Sequence, residues 1–326
     1  LSGHVDRLLA SFLKYLENNS FEGKPAGLYE AKNYLASLGG KRARPIALMA
    51  AAEAANGTIE TALPAAWAFE MFHNFTLAHD DIMDRAVMRR GKPALHDQYD
   101  EATAILAGDN MMLFVYQRLM NNYPNEVSIP LMKLVTQTGI EICEGQFMDM
   151  EFEKLKRVKE DSYLHMIKLK TAVLLGACLK AGGIVAGADE QDLEYLYDLG
   201  LNLGIGFQIK DDLMDAFSDN PKLGKVKGGD IMSNKKTILY IKALELANEQ
   251  QGLELKEWFS KEVANNSEKV QAVLALFRTL KVEENVEAMM NTYYHKAYQD
   301  LQKLSFNNQK MEPLQAFVGF LAGREH

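Results

Sequence analysis

The chain has 326 residues, 48% of them hydrophobic, and sets 36 Lys and Arg against 44 Asp and Glu for a formal charge of -8. That acidic balance excludes broad electrostatic binding to nucleic acid, which needs an excess of cations to displace the counterions of phosphates. An anionic ligand would have to be met by a local basic cluster instead.

Two cysteines, Cys143 and Cys178, stand in neither a metal-ligand spacing nor a disulfide framework, which points to a reducing cytoplasm with both as ordinary core residues. No run approaches the roughly 18 uninterrupted apolar residues of a membrane span. The amino end mixes His4, Asp6, Arg7, Lys14 and Glu17 into its apolar positions, so no stable membrane insertion is expected.

Leu8, Leu9, Phe12, Leu13 and Leu16 recur at three and four residues and predict a helix over about 5–18. The same spacing predicts helices over about 27–38, closed by Gly39-Gly40, over about 43–56, closed by Asn56-Gly57, and over about 61–84. Beyond the break at Arg90-Gly91-Lys92-Pro93 it predicts helices over about 94–121, 126–153 and 161–182. Leu193, Leu196, Tyr197, Leu199 and Leu203 carry the next, over about 189–218. After the polar stretch Ser218 to Asn234 come helices over about 235–250, 268–280, 282–304 and 311–323. Alternating runs are nearly absent and no break resembles a flexible linker. The reading is all-α: one large helical bundle, a single domain over 1–326.

One pattern repeats. His79-Asp80-Asp81-Ile82-Met83-Asp84 and Lys210-Asp211-Asp212-Leu213-Met214-Asp215 are near copies, and each follows a strongly apolar helical run. Residues four apart share a helix face, so Asp80 and Asp84 can point into one cavity, and so can Asp211 and Asp215. Three acids within a turn repel one another and call for a cation. Carboxylates suit hard cations, and Mg²⁺ in particular takes one or two of them while phosphate oxygens and water complete its octahedron. A lone cluster would more often be a solvated helix end; duplication in apolar contexts argues otherwise. A di-iron bundle would want inward Glu and Glu-x-x-His pairs, and an HD-type phosphohydrolase would want spaced partner histidines; neither set is found.

Basic residues gather beside turns at Gly39-Gly40-Lys41-Arg42-Ala43-Arg44-Pro45 and Arg89-Arg90-Gly91-Lys92-Pro93. Guanidinium forks match phosphate oxygens, and a helix beginning near Pro45 would add its amino-terminal dipole. His73 lies two turns before Asp80 on the same face. Lys170 and Thr171 within an apolar helix, Phe207-Gln208 before the second cluster, and the lysine-bearing glycine loop Gly224 to Asp230 after it complete the candidates.

These residues resemble the trans-isoprenyl diphosphate synthases, the polyprenyl synthetase family that includes farnesyl and geranylgeranyl diphosphate synthases. In order, they are Gly40 to Pro45, His73, His79-Asp80-Asp81-x-x-Asp84, Arg89-Arg90-Gly91, Gly145-Gln146-x-x-Asp149, Lys170-Thr171, Phe207-Gln208-x-x-Asp211-Asp212-x-x-Asp215, and Gly224-Lys225 through Asp230-Ile231 with Lys235. The resemblance implies an isoprenoid-synthase bundle around a deep central cavity, acting as a homodimer. It implies an allylic diphosphate held through Mg²⁺, about three ions per site with Mn²⁺ as a substitute, on Asp80, Asp81, Asp84, Asp211, Asp212 and Asp215. Arg89, Lys170, Thr171, Gln208, Lys225 and Lys235 would assist. Isopentenyl diphosphate would sit at Lys41, Arg44, His73 and Arg90, with Phe207 beside it. Stabilising the departing diphosphate, chiefly by Asp80, Asp84, Asp211, Lys170 and Arg89, yields an allylic cation that the isopentenyl double bond attacks. Two departures stand out: Arg85, where members of the family carry a short polar or acidic residue, and the ending Gly323 to His326, which offers no basic tail.

Phe75, five residues before Asp80, and Phe72, three before that, would floor the channel for the growing chain. In the family an aromatic there goes with a twenty- or fifteen-carbon product rather than a long polyprenyl chain. A class I terpene cyclase is the nearest rival, but it pairs its aspartates with an Asn/Ser/Glu-type second site. A catalytically silent partner subunit would have lost aspartates.

Overall fold

Helical periodicity is realised almost throughout. The computed structural model describes residues 3–218, 228–260 and 266–323. The helices in chain order are α1 (Gly3–Glu17), α2 (Ala26–Ser37), α3 (Ala43–Ala54), α4 (Ile59–Met83), α5 (Leu95–Gln98), α6 (Glu101–Asn122), α7 (Asn125–Lys154), α8 (Glu160–Ile167), α9 (Val173–Ala186), α10 (Glu190–Phe217), α11 (Gly229–Met232), α12 (Ile238–Leu246), α13 (Glu249–Trp258), α14 (Asn266–Thr279), α15 (Val282–Lys303) and α16 (Glu312–Ala322). Among the described residues, strand is confined to the two-residue pair β1 (Met88–Arg89) and β2 (Lys92–Pro93).

Contacts divide the chain into two compact units. One comprises Leu1–Thr138, Leu174–Gly200 and Asp300–His326; the other comprises Gly139–Val173 and Leu201–Gln299. In the first, α4 is apolar on every side, as a helix surrounded by others must be. Ala65, Ala66, Trp67, Ala68, Phe69, Met71 and Phe72 along it are all buried, each large side chain contributing about 1.5–3 kcal/mol of burial free energy. Thr58 and Thr61 close a capping box at its start, and α3 and α6 pack against it. The second unit is built on Ile205, Ile209 and Leu213, one stripe of α10, against Ile238 and Ile241 of α12 and Val273 and Phe277 of α14.

The expected helix over 94–121 is two pieces, α5 and α6. Asp100 accepts the Thr103 N–H at 2.8 Å and so starts α6 afresh, leaving α5 as one turn. The strand pair before α5 was not foreseen, although Arg90-Gly91 marked its turn. The helix over 235–250 stops at Leu246, and α13 begins behind the Asn248/Gln251 capping box. Cys178 is buried as expected, where burial pushes its thiol up, but Cys143 is exposed rather than in the core. By length and composition Glu160–Ala186 could cross a bilayer, yet 67% of its apolar window is buried within the protein.

Candidate active site

In the first unit a hairpin sorts two neighbouring arginines. The residues at its turn, Arg90 and Gly91, both have positive φ, 53° and 76°, as a type I′ turn requires. Pairing Met88 with Pro93 and Arg89 with Lys92 then sends consecutive side chains to different places. Arg89 turns to the acidic cluster: its Nε donates to Asp81 Oδ1 at 2.9 Å and its Nη2 donates to the same oxygen. Burial works against its charge, but Asp81, with Asp80 and Asp84 beyond, outweighs it and holds the guanidinium above its ordinary pKa.

Arg90 turns to the basic loop, donating to the Gly39 carbonyl. Its guanidinium lies against Gly40, where a Cβ would come within 2.7 Å of Cζ and where φ is 111°. The φ is what requires glycine there, since the end of the flexible Arg90 side chain can shift to admit a Cβ.

Around that loop Arg44 is half-buried with its Nε unpartnered among the described residues, Lys41 is exposed, and His73 is buried at 9% exposure. Burial, and then Arg44, Arg90, Arg89 and Arg42, hold the His73 imidazole well below its ordinary pKa. It is neutral at physiological pH, so it adds a hydrogen-bonding group to the cationic cluster. An orphaned guanidinium nitrogen in such surroundings suits an incoming anion.

Asp80 is half-buried, Asp84 is exposed and Asp81 is fully buried against Arg89. Arg85 is exposed with φ 51°, turned to solvent. Phe72 and Phe75 meet edge to face at 5.7 Å, and Phe75 meets His79 at 5.0 Å, so the three rings run in series up α4 to the first cluster.

In the second unit a cavity of about 200 Å³ is lined by Asp149, Tyr163, Lys170, Thr171, Gln208, Asp211, Asp212, Asp230 and Lys235, among others. Between α8 and α9 the residues Lys168–Ala172 form a π-turn, a feature that tends to mark functional sites. Two glycines admit it: a Cβ on Gly145 of α7 would lie 2.4 Å from the Lys170 nitrogen, and one on Gly204 of α10 would lie 2.6 Å from the Ala172 Cα. Lys170 Nζ donates to Asp149 at 2.6 Å. Thr171 Oγ1 donates to Gln208 Oε1 at 3.3 Å, and Gln208 Nε2 donates to Asp212 Oδ1 at 3.2 Å.

Tyr163 donates its hydroxyl to the other Asp212 oxygen. Burial pushes Asp212 up to about 7, against the pull of both donors. Asp215 accepts the Asp230 N–H at 3.0 Å, Asp211 and Phe207 are half-buried on α10, and Lys235 is exposed. Lys225 and Gly224 lie outside the described residues.

The donor chemistry fits a hard divalent cation. Among the described residues no three His, Cys, Asp or Glu side chains are drawn together as a closed cage. Mg²⁺ shared with a phosphorylated substrate needs only one or two carboxylates, and each cluster has these at the end of an apolar helix. Tyr163 has no place in the sequence motifs, and Asp149 and Asp230 stand there only as motif members without a role. Tyr163 stands seven residues before Lys170, a two-turn spacing that could have drawn attention, but the π-turn between them shifts the phase.

A profile of the polyprenyl synthetase family matches residues 25–277. The geranylgeranyl diphosphate synthase of Methanosarcina mazei is 44% identical over 246 residues, covering 75% of this chain and 74% of its own. The geranylfarnesyl diphosphate synthase of Natronomonas pharaonis is 38% identical over 247 residues, covering 71% and 72%. A crystal structure of a geranylgeranyl pyrophosphate synthase matches at a TM-score of 0.94 and 40% identity over 99% of both chains. An all-α fold with clustered aspartates and arginines of this kind is that of the isoprenoid synthases. The chain belongs to the polyprenyl synthetase family and is a prenyltransferase.

Proposed function

We propose that the chain condenses isopentenyl diphosphate with an allylic diphosphate, 1′-4 and head to tail, in a Mg²⁺-dependent reaction giving a twenty- or fifteen-carbon product. The observation that carries this is the hairpin that gives Arg89 to the aspartates and Arg90 to the loop of Gly39. It makes two different anion environments, as two diphosphate substrates demand. A terpene cyclase, with one diphosphate, has no need of the second.

Asp80 and Asp84, with Asp211 and Asp215, are the carboxylates offered to Mg²⁺, which when bound would neutralise the departing diphosphate. Asp81 and Asp212 hold their neighbours in place through Arg89, Tyr163 and Gln208. Arg89, Lys170, Thr171, Gln208 and Lys235 donate to the allylic diphosphate, and Lys225 is assigned with them. Lys41, Arg44, neutral His73 and Arg90 receive isopentenyl diphosphate, with Phe207 beside it.

The similarity to geranylgeranyl diphosphate synthases supports the twenty-carbon product, and the geranylfarnesyl relative marks a longer one as the alternative. The family match takes in residues of both compact units, which supports one prenyltransferase domain. A homodimer is supported by Leu106, Leu113 and Met120, an apolar stripe at seven-residue spacing on α6 with exposures of 59%, 66% and 53%.

The test is to incubate the purified protein with labelled isopentenyl diphosphate and each allylic primer in turn, with Mg²⁺ or with chelator, and to size the dephosphorylated products. Stepwise elongation ending at twenty or fifteen carbons, and none with chelator, is expected. Cyclised hydrocarbon from the primer alone, or turnover undiminished by chelator, would overturn it.

A further inference from the structure

The loop ahead of α3 has positive φ at three of four consecutive residues: Gly39 at 76°, Gly40 at 111° and Arg42 at 48°. Arg42, with ψ 35°, is the left-handed N-cap of α3. Glycine suits such positions, whereas a residue bearing a Cβ is strained there. The strain persists only where the surroundings over-determine it, and here they do.

Arg42 is 5% exposed, and Glu70, on α4, is 1% exposed. Nη1 donates to Glu70 Oε1 at 2.5 Å and Nη2 donates to the Ala36 carbonyl at 2.6 Å. A single guanidinium thus joins the last turn of α2, the start of α3 and the middle of α4. On either side of it in sequence stand Lys41 and Arg44, and one turn beyond Glu70 on α4 stands His73.

We propose that Arg42 is a positioning residue for isopentenyl diphosphate: through Glu70 and Ala36 it fixes the backbone from which Lys41 and Arg44 are presented, without touching the substrate. This rests on reading Lys41, Arg44, His73 and Arg90 as the isopentenyl diphosphate site. The clamp has a second effect. The Glu70 charge acts on Arg44 and Arg90 as well, so a carboxylate released from Arg42 would compete with the diphosphate for those two guanidiniums. Held in the pair, its Oε1 accepts from Arg42 instead.

The φ of 48° supplies the experiment. Arg42→Gly accepts this backbone better than arginine does, so it removes the clamp while relieving the strain. Because it leaves Glu70 buried without its partner, Arg42→Gly/Glu70→Gln is made as well, giving a variant with no orphaned charge. Both are assayed by steady-state kinetics, and binding of a non-reactive allylic diphosphate analogue is measured by calorimetry.

The expected result is a KM for isopentenyl diphosphate raised about tenfold or more in both variants, with the allylic KM and analogue affinity within about twofold of the parent. The double variant should melt no lower than Arg42→Gly. Unchanged KM for isopentenyl diphosphate in the double variant overturns the proposal. Equal rises for the two substrates also overturn it, since they mean general loosening. Arg44→Ala separates this from the underlying reading: if it leaves the isopentenyl KM unchanged, the site assignment fails, and if it alone raises that KM, the positioning role fails.

Discussion

The hydroxyl of Tyr163 donates to the buried carboxylate of Asp212, the middle residue of the second aspartate cluster. With Gln208 on the other oxygen, it keeps Asp212 oriented in a setting where burial favours the neutral acid. Tyr163→Phe removes one of two donors and leaves an acceptor short, which costs about 1–3 kcal/mol at a buried site. The expected outcome is a fall of about tenfold in kcat with a higher Mg²⁺ concentration for half-maximal activity, and an unchanged KM for isopentenyl diphosphate. Magnesium titrations of the two proteins, with calorimetric Mg²⁺ binding in the presence of inorganic diphosphate, would show it. Superimposable Mg²⁺ curves would reduce Tyr163 to a packing residue.

The outer and middle aspartates should fail differently. Asp80 and Asp211 are half-buried, so replacing either with Ala is expected to cut turnover by about a thousandfold or more while leaving the circular dichroism spectrum intact. Asp81 is wholly buried against Arg89. Asp81→Ala removes the partner of a guanidinium that is 30% exposed and still faces Asp80 and Asp84, and should lower stability by about 1–3 kcal/mol as well as activity. Melting curves beside product assays distinguish the cases, and an Asp81→Ala protein as stable as its parent would mean that the pair contributes little.

Phe75 is the better candidate of the two proposed floor residues. Phe72 is 1% exposed, a core ring whose removal costs about 3–5 kcal/mol wherever the product ends. Phe75 is half-buried, between Phe72 and His79. Phe75→Ala should shift the main product to a longer chain with little change in stability, and Phe72→Ala alone should mainly destabilise. Chromatography of the dephosphorylated products decides: a distribution unmoved by Phe75→Ala removes this ring as the ruler.

Much of this was legible in the sequence because the signals are local. Apolar residues three and four apart define α4 and α10 without reference to anything distant, and aspartates four apart can only share a face. What escaped depends on partners far along the chain or on departures from regular helix. No spacing tells that Arg89 and Arg90 diverge; the left-handed turn at Arg90-Gly91 does that. Arg42 stands in the basic motif with no role that its position assigns, and only its pairing with buried Glu70, 28 positions away, shows what holds it. The π-turn at Lys168–Ala172 is invisible to a periodicity that assumes regular turns. Asn248 and Gln251, by contrast, are a capping signal legible in the sequence, and it divides the single helix expected over 235–250.

The α6 stripe makes a prediction about assembly. Leu113 is 66% exposed, with Leu106 and Met120 one heptad away on either side. Leu113→Glu touches no residue of the proposed site and should convert a dimer to a monomer, since an unpaired carboxylate in an apolar interface is strongly disfavoured. Light scattering on the eluting peak measures the mass directly. A parent protein that already runs as a monomer would remove the dimer, and a dimer indifferent to the substitution would place its interface elsewhere.

Lys32 offers a test of stability against pH. It is fully buried, its Nζ donates to Asn110 Oδ1 at 2.5 Å, and the rings of Tyr29, Phe114 and Phe21 lie 3.8, 4.2 and 4.7 Å from it. Burial lowers the ammonium to about 8, against about 10.4 in an unfolded chain. Between those values the unfolded chain binds more protons, so stability gains up to about 1.4 kcal/mol per pH unit as pH rises; below about pH 8 both states are protonated and the gain is absent. Lys32→Met cannot titrate. The parent's stability relative to this variant should therefore climb by roughly 2–3 kcal/mol between pH 8 and pH 10, whatever the difference at neutral pH. Urea denaturation of both proteins at pH 7, 8.5 and 10 measures it, with other titrations cancelling in the difference. Parallel stability curves would mean that the three rings and Asn110 compensate the buried charge in full.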